Sequence, residues 1–113
     1  ELKDPINVIH YGQRALDFFT VLDDYRKIWT LKYFLGSAHH LLGDNETAGR
    51  LLDEARNLAQ AMGWKEWEFL IKVDEELAKI YEGNSMHEQA SELRRRVATV
   101  KELAAKDVTD EAA

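Results

Sequence analysis

Apolar residues recur along this chain at the three- and four-residue spacing of amphipathic helices, and the pattern breaks at Asp23-Asp24, Gly43-Asp44, Gly63 and Gly83. Five helices are predicted. The first spans 4–22, with Asp4 as cap, Pro5 at the first helical position, and Ile6, Ile9, Ala15, Leu16, Phe19 and Leu22 inward. The second runs from Tyr25 to Leu42 and turns Tyr25, Ile28, Trp29, Leu35, Ala38 and Leu42 to one side. Gly43 supplies a left-handed helix end, and Asp44 or Asn45 caps the third helix, 45–62, whose inward set is Ala48, Leu51, Leu52, Ala55, Leu58 and Ala59. A fourth helix, 65–82, buries Trp67, Leu70, Ile71, Leu77, Ala78 and Tyr81 and stops at Gly83. Ser85 and Glu88 form a capping box that starts the fifth, which carries Ala90, Leu93, Val97, Val100 and Leu103. The segment 106–113 is polar and is expected to be a flexible tail.

The pattern repeats. A shift of 42 residues aligns Tyr25 with Trp67, Ile28 with Leu70, Leu35 with Leu77, Ala48 with Ala90, Leu51 with Leu93 and Ala55 with Val97. A shift of 40 aligns Asp4 with Asp44, Ala15 with Ala55 and Leu22 with Met62. The chain therefore reads as one domain over 1–105: a lone helix 4–22, a helical hairpin 25–62 and a second hairpin 65–104. Small residues at Gly36, Ala38, Ala48 and Ala55 mark close helix approach, with Leu35, Leu51, Leu52 and Leu58 filling the space between.

The spacing of Leu35-Gly36, His39, Gly43-Asp44, Ala48, Leu52 and Ala55 resembles the tetratricopeptide (TPR) pattern, repeated at Leu77, Ala78, Tyr81, Ala90 and Val97. The repeat is longer than the usual TPR, the proline after the second helix is missing, and Arg94 stands where Leu52 stood. The length is similar to the extended TPRs of kinesin light chains, Pins-type adaptors and bacterial peptide-responsive regulators. The resemblance implies an all-α, right-handed α-solenoid of antiparallel helix hairpins, with five helices. It also implies a non-enzymatic module that binds a peptide or partner helix on a concave surface. By position that surface is Thr30, Tyr33, Ser37, His40 and Leu41, then Lys72, Glu75, Lys79 and Glu82. The four charged positions read equally well as a solvated face with intrahelical pairs. The chaperone-type carboxylate clamp does not carry over, because Tyr33 and Ser37 occupy its Lys and Asn positions.

The first helix carries more apolar residues than one buried stripe needs. Ile6, Ile9, Phe18 and Phe19 make a candidate face for a preceding repeat, a partner helix or a second copy of the chain. An alternative role follows, as the sensing or oligomerisation domain of a larger regulatory protein. The sequence begins at Glu1 rather than Met, as a piece of something longer would.

Charge and composition narrow the chemistry. The chain has 113 residues and a net charge of −6, which opposes nucleic-acid binding. Arg94-Arg95-Arg96 is the one basic cluster, and on a helix its members point three ways, giving a solvated terminal face. Cysteine is absent, which excludes disulfides and thiolate chemistry and fits an intracellular, cytoplasmic setting. No apolar run is long enough to span a membrane. Among the four histidines, His39 and His40 are adjacent and diverge by about 100° on a helix, while His10 and His87 lie elsewhere, so no metal or other cofactor is expected. No catalytic constellation is recognisable, and enzymatic activity is not expected.

Overall fold

Asp4, Asp24 and Asp44 stand twenty residues apart, and each does the same work. Each carboxylate accepts a hydrogen bond from the backbone N–H three residues on, at Asn7, Lys27 and Thr47 (3.3, 3.4 and 3.3 Å). The computed structural model describes residues 4–62 and 67–112. Its helices are α1 (Pro5–Val21), α2 (Tyr25–Leu41), α3 (Asn45–Ala61), α4 (Trp67–Gly83) and α5 (His87–Ala112), with no strand among the described residues. The first four are 17 residues long. α1 packs against α2, α2 against α3, and α4 against α5. The chain divides into two compact units, Glu1–Trp64 and Lys65–Ala113. The expected stop at Gly63 and helix start at Lys65 lie outside the described residues.

The turns are copies of one another. The N–H of Asp24 donates to the Phe19 carbonyl, that of Asp44 to His39 and that of Met86 to Tyr81, each reaching back five residues as in a Schellman motif. The preceding residue is left-handed each time: Asp23 (φ 53°), Gly43 (φ 84°) and Ser85 (φ 61°). This corrects the expected capping box. Ser85 is the left-handed turn residue, Gly83 is the last residue of α4, and the cap position falls to Met86, which has no oxygen to offer. Both sequence shifts now have one cause. Three residues separate α1 from α2 and α2 from α3, whereas five, 62–66, separate α3 from α4. Helix pairs starting at α1 therefore recur after 40 residues, and those spanning that connection after 42.

In the first unit Leu16 of α1, Ile28 and Leu35 of α2 and Leu51 of α3 form the core, with Ile9, Phe19, Leu31 and Leu58 packed around it. Two glycines set the helix spacing. A Cβ on Gly12 would meet Leu35 Cδ2 at 3.0 Å, and one on Gly36 would meet Leu52 Cγ at 2.8 Å and the Ala48 carbonyl at 3.2 Å. In the second unit Leu70, Val73, Leu77, Ala78 and Ile80 of α4 are buried, as are Ala90, Leu93, Val97 and Val100 of α5. Ile6, Leu22, Tyr25 and Leu42, expected inward, are exposed, because they lie at helix ends past the packed length. α5 continues through Ala112, so residues 106–112, expected as a tail, have helical backbone. No Gly or Pro interrupts them, and Ala104, Ala105, Lys106 and Glu111 are good helix formers.

In each unit an ion pair joins two helices at the same place in the repeat. Lys32 Nζ of α2 donates to Glu54 Oε1 of α3 at 2.8 Å. Arg96 of α5 donates to both carboxylate oxygens of Asp74 on α4, at 3.1 and 3.4 Å. Adding 42 to Lys32 gives Asp74, and adding 42 to Glu54 gives Arg96, so the pair is conserved in position and reversed in sign. Depth differs: the Asp74 side chain is 2% exposed, that of Glu54 40%.

Gly36→Ala should lower stability by about 1–2 kcal/mol in urea titrations, because the neighbouring branch carbon and carbonyl must move by more than helix propensity returns. Gly49→Ala, with nothing within 4 Å, should raise it by about 1 kcal/mol. Equal signs for the two would contradict the packing.

Arg96→Met should cost about 3–5 kcal/mol, since it takes the guanidinium away from a buried carboxylate. Glu54→Gln, at a half-exposed pair, should cost under about 1 kcal/mol. The Glu54 carboxyl is held below the usual glutamate range chiefly by the Lys32 hydrogen bond, against the opposing effect of burial. A depressed folded pKa means that this contribution is present at neutral pH and lost as pH falls through it. Urea midpoints of the parent and Glu54→Gln should therefore differ at neutral pH and converge in acid.

A candidate binding surface on α2

Among the described residues, α2 is the one helix of the first unit in contact with both others, so two of its sides are consumed by packing and one is left. Gly36 and Trp29 turn toward α3 or the interior, and Leu35 and Ile28 join the core with α1. The remaining side carries Arg26, Lys27, Thr30, Phe34 and Leu41. Its sequence, YRKIWTLKYFLGSAHHL, contains three Lys and Arg residues and no Asp or Glu, within a chain of net charge −6.

The five α2 residues expected to bind a partner are placed unevenly. Thr30 is half-buried, its hydroxyl donating to the Arg26 carbonyl at 2.8 Å. Tyr33 and His40 are half-buried, and the Tyr33 ring meets the edge of Phe34 at 5.5 Å between centroids. Leu41 is 60% exposed. Ser37 is the correction: it is buried, and its Oγ has no hydrogen-bond partner, so its side chain offers no accessible contact. Of the α4 positions, Lys72 and Lys79 are exposed and Glu75 is half-buried. Glu82 is exposed but forms an ion pair with Arg94 of α5. The three successive arginines each meet a carboxylate, Arg94 with Glu82, Arg95 with Glu92 and Arg96 with Asp74. They point three ways, as the helical geometry requires, and their charge is spent locally.

On α1 the four residues of the expected outward face divide. Ile6 and Phe18 are exposed (67% and 59%), whereas Ile9 and Phe19 pack against the core. Tyr11, Val21 and Leu22 are also exposed, and Tyr11, Phe18 and Leu22, seven and four residues apart, form the stripe instead. The seven-residue step from Tyr11 to Phe18 was visible in the sequence, but Ile6 and Ile9 fit a helical stripe as well, and only packing separates them.

Phe34 and Lys27 belong to the site and were not singled out by the TPR correspondence. Lys27, Phe34 and Leu41 recur every seven residues, which would have found them. Phe19 of α1 with Arg26, Lys27, Thr30, Leu31 and Phe34 of α2 lines an open groove of about 420 Å³. The Lys27 ammonium sits 5.5 Å from the centroid of the Phe19 ring, a cation–π contact at the groove edge.

The histidines are dispersed. His39 Nδ1 lies 3.4 Å from Asp44 Oδ2. The Asp44 carboxyl is held below the ordinary carboxylate range, first by hydrogen bonds from the Thr47 side chain and backbone, with His39 adding to them. Among the described residues no three His, Asp or Glu side chains gather as a metal-ligand set, and no helix is long and apolar enough to cross a membrane. No family model, curated protein or solved structure matches the chain.

Proposed function

We propose that this chain is a TPR-like protein-interaction module without enzymatic activity, built as a right-handed solenoid of antiparallel helix pairs. In this reading it takes up a peptide or partner helix across the accessible side of α2. The tandem arrangement is supported by the equal lengths of α1 to α4, the copied turns and the sign-reversed ion pair 42 residues apart. The observation that carries the binding role is the α2 surface itself: aromatic and aliphatic side chains left exposed beside cations, on a helix already packed on two sides. On α4, in the second unit, Lys72, Glu75 and Lys79 are the positions that the same reading assigns to ligand contact. Peptide arrays probed with the whole chain should give a defined set of ligands. Tyr33→Ala and His40→Ala should each weaken binding about tenfold; retention of every ligand by both variants would count against the surface.

A second reading has its own observation. The exposed stripe Tyr11, Phe18 and Leu22 on α1 suits a sensing or oligomerisation domain, in which a neighbouring helix covers it. Light scattering at rising concentration separates the two. A constant monomer mass supports the interaction module alone, and association reversed by Phe18→Glu supports the second.

A further inference from the structure

The charges of α1 are few and they cancel. Its sequence, PINVIHYGQRALDFFTV, holds one formal cation, Arg14, and one formal anion, Asp17, whereas each of the other four helices has a formal net charge. Tyr11, Phe18, Val21 and Leu22 are each more than half exposed, and their spacing places them on the side turned away from Gly12 and Leu16, which meet the interior. Arg14 stands inside that stripe, three residues after Tyr11 and four before Phe18, and is exposed. Among the described residues no carboxylate pairs with its guanidinium. The Asp17 carboxylate, three residues on, accepts instead from the Gln13 side-chain amide at 3.0 Å. Past the end of the stripe, Asp23, Asp24, Arg26 and Lys27 contribute two charges of each sign, so that end carries no net field either. A helix covering this side must therefore be close to neutral and must bring a carboxylate to Arg14 and a cation to Asp17. A second α1 meets both requirements.

We propose that the outward side of α1 pairs with α1 of a second copy of the chain, the two helices running antiparallel about a two-fold axis beside residues 15 and 16. Arg14 of each copy then lies opposite Asp17 of the other, and Tyr11 of each lies against Val21 and Leu22 of the other. A parallel pair in register would set Arg14 against Arg14 and Asp17 against Asp17, and would align the two helix dipoles instead of opposing them. A chain of net charge −6 repels its own copies, and α1 is the helix across which that repulsion is smallest. Charges farther away than a Debye length, about 8 Å at physiological salt, are largely screened. One helix per copy is a small interface, so the association is weak and reversible, with Kd on the order of 10–100 μM. This inference rests on the oligomerisation reading and names the helix that covers the stripe.

Sedimentation equilibrium on the whole chain, from about 1 μM to 1 mM, should fit monomer and dimer with no larger species. Phe18→Glu should abolish the dimer. Arg14→Asp and Asp17→Arg should each weaken it at least tenfold, although they move the net charge in opposite directions. The double variant Arg14→Asp/Asp17→Arg should return to within threefold of the parent. All three residues are exposed, and circular dichroism of each variant checks its fold. Orientation is read separately. The chain has no cysteine, so Asn7→Cys gives one spin-labelling position, beyond the paired stretch. Antiparallel pairing should separate the two labels by about 25 Å along the axis, and parallel pairing should bring them within about 10 Å. A dimer that is lost in Phe18→Glu but is indifferent to both single reversals, or whose labels are close, overturns this pairing and leaves the oligomerisation reading standing. A constant monomer mass across the whole range, or a dimer that survives Phe18→Glu, overturns both.

Discussion

The first unit depends on how closely α2 can approach its neighbours. At Gly36 there is room for a hydrogen and not for a methyl group: the branch carbon of Leu52 and the backbone oxygen of Ala48 already occupy the space. Ala48, Leu52 and Ala55 on α3 are fully buried as a result. Gly12 performs the same service between α1 and α2, against the tip of Leu35. Close backbone approach lets Ala48 and Ala55 fill the space between α2 and α3, and interiors at protein packing density respond to a single added methylene. Because α2 is consumed on both of these sides, its remaining side is defined by exclusion, and the groove residues are those left over.

The two ion pairs add a second constraint. They occupy equivalent places and carry opposite polarity, Lys32 with Glu54 and Asp74 with Arg96. Had the helices exchanged partners in the same register, Lys32 would meet Arg96 and Glu54 would meet Asp74, two like-charge encounters. Tandem repeats are exposed to that exchange because their apolar faces are interchangeable, and charge reversal discriminates where hydrophobic contact cannot. The buried pair contributes little net stability, since desolvation offsets attraction, but an arrangement that takes the guanidinium away from the buried Asp74 carboxylate is penalised.

Much of this was legible from residue order. The helical periods, the Asp caps and the small residues at Gly36 and Ala48 locate α1, α2 and α3 to within a residue or so, because each signal is local. What was not legible depends on packing. Ser37 sits on a polar-looking face and is buried; Ile9 and Phe19 share a helix with Phe18 and turn the other way. Ser85 and Glu88 have the spacing of a capping box, yet the turn shared with Asp23 and Gly43 places the left-handed residue at Ser85 and moves the cap to Met86. The Asp74–Arg96 pair was hidden in a helix rich in acids, and it becomes readable only when the 42-residue shift is applied to charged as well as apolar positions. The TPR correspondence directed attention to Tyr33, Ser37 and His40, whereas the most accessible apolar residues of α2 are Phe34 and Leu41.

Site-resolved hydrogen exchange on the whole chain tests the central claim, that α2 is the helix the first unit is packed around. Local opening energies follow burial and neighbouring contacts, so protection ranks the helices directly. The amides of Leu35 to Ala38 should be the slowest of the first unit, with those near Ile6 and Asn7 exchanging early. If the Leu35–Ala38 amides exchange as fast as those at the start of α1, the close-packed centre described here does not exist.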